Sequence, residues 1–163
     1  MQKSTMISLI IVLFVLIVPV KTSAEESAKG SKEKGMENRH GMELFIGNTH
    51  DEDKNGASIG LSYEYRLNQW FGIGGLAEYA GMEIREYVVF VPILWHPYKE
   101  WRFSCAPGVE FLKDENTFSA VLRFGAAYEF EIHERWSMTP EVNVDLVDRS
   151  PVFVYGFSFG YKF

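Results

Sequence analysis

Cysteine is nearly absent: Cys105 stands alone in 163 residues. That rules out an intrachain disulfide, a CxxC redox pair and a cysteine zinc cage. Basic clusters are missing too. There are 16 Lys and Arg against 22 Asp and Glu, a formal net charge of −6. A nucleic-acid partner needs grouped Lys and Arg to neutralise phosphates, so none is expected. No Gly-x-Ser-x-Gly elbow and no phosphate-binding loop occurs, and no cofactor is implied. The length suits one domain.

Long apolar runs are absent except for one, Met6 to Val20. Lys3 precedes it, and the small residues Thr22, Ser23 and Ala24 follow. Charged start, short apolar core and small-residue exit make a secretory signal peptide, with cleavage expected after Ala24. A retained spanning helix would need about 20 apolar residues, and this run is shorter, with Pro19 near its end. No cysteine stands at the exit to carry a lipid anchor. Cleavage leaves 14 basic against 22 acidic residues, or −8. Glu25 to His40 is polar and charged and reads as a flexible periplasmic tether.

Aromatics are plentiful: 13 Phe, 8 Tyr and 4 Trp, with 14 glycines. That mixture suits strands and turns. From Met42 onward apolar residues recur every second position, the period of a strand with two unlike faces. Ala57, Ile59, Leu61, Tyr63, Tyr65 and Leu67 oppose Ser58, Gly60, Ser62, Glu64 and Arg66. Phe153, Tyr155, Phe157, Phe159, Tyr161 and Phe163 oppose Val154, Gly156, Ser158, Gly160 and Lys162. Eight strands are predicted: Gly41–Asn48, Ala57–Leu67, Phe71–Ala80, Glu86–His96, Trp101–Phe111, Thr117–Glu131, Trp136–Leu146 and Val152–Phe163. Most match the 9–11 residues of a tilted membrane strand. Pro92, Pro107 and Pro140 fall inside them and call for bulges or irregularity, because each removes a ladder hydrogen bond.

Three turns run straight into a tryptophan, at Trp70, Trp101 and Trp136. In an up-and-down barrel they share one end, and a ring of indoles marks a membrane–water interface. A soluble barrel would turn the apolar face inward instead. Volume argues against that, since the interior of eight strands only just accommodates its side chains and so many rings would overfill it. The expected fold is therefore all-β, an eight-stranded antiparallel transmembrane barrel occupying 41–163.

The stretch Tyr155-Gly-Phe-Ser-Phe-Gly-Tyr-Lys-Phe163 resembles the C-terminal assembly signal of outer-membrane barrels, with Tyr155, Phe157, Phe159, Tyr161 and Phe163 in step. Gly60 to Gly74 and Pro107 to Phe111 resemble strands of the small porin-like, OmpA-type barrel family. The resemblance implies contact with outer-membrane lipid, insertion by the outer-membrane assembly machinery and both termini periplasmic. It does not specify a function, because the family holds anchors, adhesins, resistance factors and lipid-modifying enzymes.

Inward parity falls on Glu64, Arg66, Glu78, Arg102, Glu110, Arg123, Glu129, Glu141, Asp145 and Lys162. Buried charges must pair. The plain expectation is a salt-bridge network that plugs the lumen; the alternative is a narrow ion path along it. A general porin needs many more strands. Asp51, Asp53 and Asn55 match the first half of a calcium loop, but Ser62 stands where the bidentate Glu belongs. A charged hairpin turn is the plainer reading, with weak divalent-ion binding as the alternative. The four histidines lack the His-x-Ser pair of barrel deacylases and read as exposed or interfacial. Cys105 shares the parity of Trp101 and Phe103 and reads as inert. The sequence points to a non-enzymatic envelope protein with a structural or surface-interaction role.

Overall fold

The computed structural model describes residues 39–52, 54–98, 100–112, 117–147 and 150–163. The expected export signal, and the tether as far as residue 38, lie outside them. Within them, the period-two segments form ten β segments: β1 (His40–Asp51), β2 (Lys54–Arg66), β3 (Phe71–Ala80), β4 (Glu86–Phe90), β5 (Ile93–Trp95), β6 (Trp101–Leu112), β7 (Thr117–Tyr128), β8 (Phe130–His133), β9 (Trp136–Val147) and β10 (Ser150–Lys162). Every pairing is antiparallel. β4 and β5 share one position between β3 and β6, and β7 and β8 both pair with β9, so the segments make eight strands. β10 pairs with both β9 and β1, which closes the sheet and leaves no edge.

The alternation sorts the two faces. Phe157 on β10 is 51% exposed and its near neighbour Val154 1%. Outward along the ring run Ile46, Ile59, Ile73, Val89, Phe103, Phe124, Val142 and Phe157, all exposed. The interior is not purely polar. Val88, Phe90, Ala106 and Val121 form a small apolar cluster inside the barrel, with Leu76 and Val147 against it. The seam between β1 and β10 closes over glycines: Gly47 faces Gly156, and the buried Phe45 ring lies across both. An added Cβ on Gly156 would come 2.6 Å from Gly47 Cα and 2.8 Å from the Phe45 ring.

Several boundaries differ from expectation. β1 begins at His40, inside the predicted tether. β1 and β2 pair as far as Asp51 and Lys54, so most of the stretch expected as a loop, His50 to Gly56, is ladder. Its polar residues hid the strand because both faces there meet water. Of the three prolines only Pro92 interrupts a strand, separating β4 from β5. Pro107 pairs with Leu122 and Pro140 with Phe157 without a register shift. Each forfeits a single N–H, and the Pro107 carbonyl still accepts from Val91 N at 2.9 Å.

Candidate functional site: the charged lumen

The inward positions assemble three ionic groups. In the first, Arg123 on β7 spans two neighbours. Its Nε and Nη2 donate to both oxygens of Asp145 at 2.6 and 2.7 Å, and Nη1 donates to Glu78 at 2.6 Å. The guanidinium also lies 4.3 Å from the Phe90 ring centroid, a cation–π arrangement. This two-oxygen fork is the geometry that favours Arg over Lys. In the second, Arg102 on β6 donates to Glu43 at 2.6 Å and Glu141 at 3.2 Å.

The third group lies near the turn that carries Trp70. His96 Nε2 is 2.8 Å from Glu64, and His96 Nδ1 is 3.2 Å from Arg66 Nη2. Arg66 can only donate, so Nδ1 accepts and Nε2 carries the proton toward Glu64. Gly72 leaves the space that the Glu64 carboxylate occupies. Arg66 and Lys162 both reach Glu129, and Lys162 also lies 3.7 Å from Glu131.

Each expected inward charge thus lies on the inner wall. Glu110 is buried there on β6 and Glu86 on β4. Sequence reasoning passed over Glu43, Glu86 and His96. The outward run Met42, Leu44, Ile46 carried the signal for Glu43, which lies on the opposite parity. His96 corrects the reading of all histidines as exposed or interfacial. It is 3% exposed, because it continues the inward parity of Leu94. The other three lie elsewhere: His40 beside Tyr63, His50 beside Asn55, and His133 at the end of β8, paired with Trp136 across the turn. Among the described residues, eight inward carboxylates (Glu43, Glu64, Glu78, Glu86, Glu110, Glu129, Glu141 and Asp145) face the permanent cations Arg66, Arg102, Arg123 and Lys162, and Arg39 lines the smaller lumen cavity beside them.

Two small cavities lie in the lumen, of about 20 and 60 Å³, and Glu43 and Glu64 wall both. Each holds one or a few water-sized molecules and neither forms a wide channel. Asp51 and Asn55 flank the β1–β2 tip, where Asn55 Oδ1 accepts from His50 Nδ1 at 2.9 Å. Asp53 lies outside the described residues. Among the described residues no group of three or more His, Cys, Asp or Glu side chains is placed to hold a metal.

On the outer wall the three tryptophans are exposed at one end of the barrel, and Trp95, which the turn repeat had not included, joins them. Asn68 shapes the first of these turns, its side chain accepting from the Trp70 and Phe71 N–H groups at 2.8 and 2.9 Å. Trp101 packs edge-on against Tyr128, and Trp136 lies 4.9 Å from Tyr161. Tyr155, Phe157, Phe159, Tyr161 and Phe163 all lie on the outward parity of the closing strand. Cys105 is half-buried on the outward parity of β6.

No protein-family model and no curated protein matches the sequence. Solved structures do. Ail, the attachment invasion locus protein of Yersinia pestis, superposes at a TM-score of 0.53 with 17% identity, over 78% of this chain and 100% of that one. The chain has the fold of a small eight-stranded outer-membrane β-barrel. A second structure of Ail, in complex with the heparin analogue sucrose octasulfate, matches at a TM-score of 0.52 with 16% identity, over 76% and 96% of the two chains. A de novo designed transmembrane β-barrel matches as well, at 0.52 with 12% identity, over 76% and 95%. A natural attachment invasion locus protein and a designed barrel therefore share this barrel's architecture, so the fold by itself does not select a function.

Proposed function

We propose that the protein is an integral outer-membrane barrel, delivered by a cleaved signal peptide and inserted by the outer-membrane assembly machinery, with a structural or surface-interaction role and no enzymatic activity. The observation that carries this reading is the pairing of an edgeless ring and an apolar outer wall with an ion-paired lumen. In lipid every backbone group must be satisfied internally, and a closed barrel does that. The exposed aromatics of the Trp70, Trp101 and Trp136 end supply an interface band, and the network around Arg102 and Arg123 holds the lumen shut. The likeness to Ail supports a surface role. A polysulfated ligand like the one Ail binds is not supported, because Asp51, Glu52 and Glu83 stand beside Lys54 at the hairpin tips. Envelope fractionation followed by gels with and without boiling tests the reading. A mobility shift in the outer-membrane fraction is expected; a soluble periplasmic protein without a shift would overturn it.

One observation favours a second reading, a narrow cation path. Carboxylates outnumber cations on the inner wall, and Glu43 and Glu64 border both cavities. Steady single-channel steps in planar bilayers, altered in Arg102→Ala or Arg123→Ala, would favour the path. Silent bilayers containing heat-modifiable protein would favour the closed lumen.

A further inference from the structure

Among the described residues the outer wall is apolar or aromatic almost throughout; apart from His40 at the opposite end, polar side chains gather on it in one place. At the hairpin end of the seam, the outward positions Asn48 and His50 on β1 and Asn55 on β2 are polar, and Tyr155 on β10 joins them. In register, Asn48 faces Tyr155 on one side and Ala57 on the other, while His50 faces Phe153 and Asn55. Ala57 is exposed, and Gly81 donates its N–H to the Ala57 carbonyl. Beyond them stands Tyr79, whose ring an added Cβ on Gly81 would meet at 3.4 Å. The small residues Ala57 and Gly81 thus separate the amides on one side from a tyrosine on the other.

The hydrogen bonding of this patch is incomplete in a particular way. Asn48 Nδ2 makes three contacts, to Thr49 O, Asn55 Oδ1 and Tyr155 Oη, all between 3.4 and 3.5 Å. These are at the weak end of the range. Tyr155 Oη accepts from Asn48 and keeps its own proton to donate. His50 Nδ1 lies 2.9 Å from Asn55 Oδ1; the carbonyl oxygen only accepts, so Nδ1 donates and Nε2 is left as an acceptor. The patch therefore offers donors and acceptors together. An anion would need donors alone and a net positive charge, yet at these tips Asp51, Glu52 and Glu83 outnumber Lys54 and Arg85, and Glu83 accepts from Asn55 N at 3.1 Å. Hydroxyl groups, which donate and accept at once, complement such a surface, and aromatic faces such as Phe153 pack against the C–H face of a sugar ring.

The row beneath the patch is Ile46, Ile59 and Phe157, each about half exposed. A sugar held at Asn48 would place an attached acyl chain directly on that row. We propose that this polar patch binds the uncharged sugar headgroup of a glycolipid in the leaflet facing the hairpin tips. The site rests on the membrane reading above.

The test uses the full mature chain refolded into phosphatidylcholine vesicles containing either a neutral diglycosyl diacylglycerol or phosphatidylglycerol. Gel mobility without boiling reports insertion, and native mass spectrometry of the extracted barrel counts retained lipids. The wild type should retain the glycolipid over phosphatidylcholine about tenfold, a difference worth about 1.4 kcal/mol. Asn48→Leu/Asn55→Leu should insert equally and lose that preference, while Phe118→Leu, an exposed outward position on β7 across the barrel, should keep it. Preference for phosphatidylglycerol, absence of any preference, or an undiminished preference in the double variant would overturn the site. Protein that inserts into neither vesicle would overturn the membrane reading and the site together.

Discussion

Arg123→Ala should be among the most damaging single substitutions in the barrel. The guanidinium is 3% exposed and makes three bonds of 2.6–2.7 Å to Glu78 and Asp145, which are 5% and 3% exposed. Truncation leaves two buried carboxylates facing each other without their cation. Breaking a buried pair from one side costs about 3–5 kcal/mol. With a urea slope of about 2 kcal/mol per molar, the unfolding midpoint should fall by about 2 M. Tryptophan fluorescence in lipid vesicles reads the transition, and gel mobility checks it independently. The control is Arg123→Met/Glu78→Met/Asp145→Leu, which removes the arginine together with both carboxylates bonded to it. Because that triple variant leaves neither of those carboxylates without its cation, it should regain most of the loss. A single variant within about 0.5 M of wild type, or a triple variant as weak as the single, would refute the argument that unpaired charge sets the cost.

Three further outcomes are expected. Phe157→Arg, on the outward row midway along β10, should cost about 2–4 kcal/mol in vesicles, and a loss below about 1 kcal/mol in the same titration would contradict the facing of that wall. Gly156→Val should abolish the heat-modifiable band, because the seam has no room beside Gly47 and Phe45; a normal band would show that the seam yields. The protein isolated from envelopes should have a mass that begins at Glu25, and a mass that includes Met1 would contradict cleavage.

The closed barrel was legible where one face of a strand differs sharply from the other, as along Phe153 to Phe163. It faded at the hairpin tip, where polar residues occupy both faces, and so the ladder of His50 and Asp51 with Lys54 and Asn55 read as loop. Proline content gave the right warning at Pro92 and the wrong one at Pro107 and Pro140, because the cost of a missing N–H depends on whether the neighbouring ladder keeps its register. Parity told which charges point inward but not which ones meet. Arg123 and Glu78 sit 45 residues apart and touch across the lumen, an outcome of barrel stagger that period-two patterning does not carry. Asn55 read as part of a charged turn, and only the register set it on the outer wall beside Asn48, the last residue of the first predicted strand.

The seam also sets the timing of folding. Gly41 pairs with Lys162, so residues near opposite ends of the described chain are immediate neighbours. Translation produces β1 long before β10. Until residues 150–162 exist, one edge of β1 has no partner and no shorter ring is available to it. Pairing this distant in sequence is slow to form, and an open edge has no stable place in lipid. The nascent barrel therefore has no half-built stage at which it can safely stop. It must be kept apart from other unpaired strands until synthesis is finished, and then become a membrane protein in a single step.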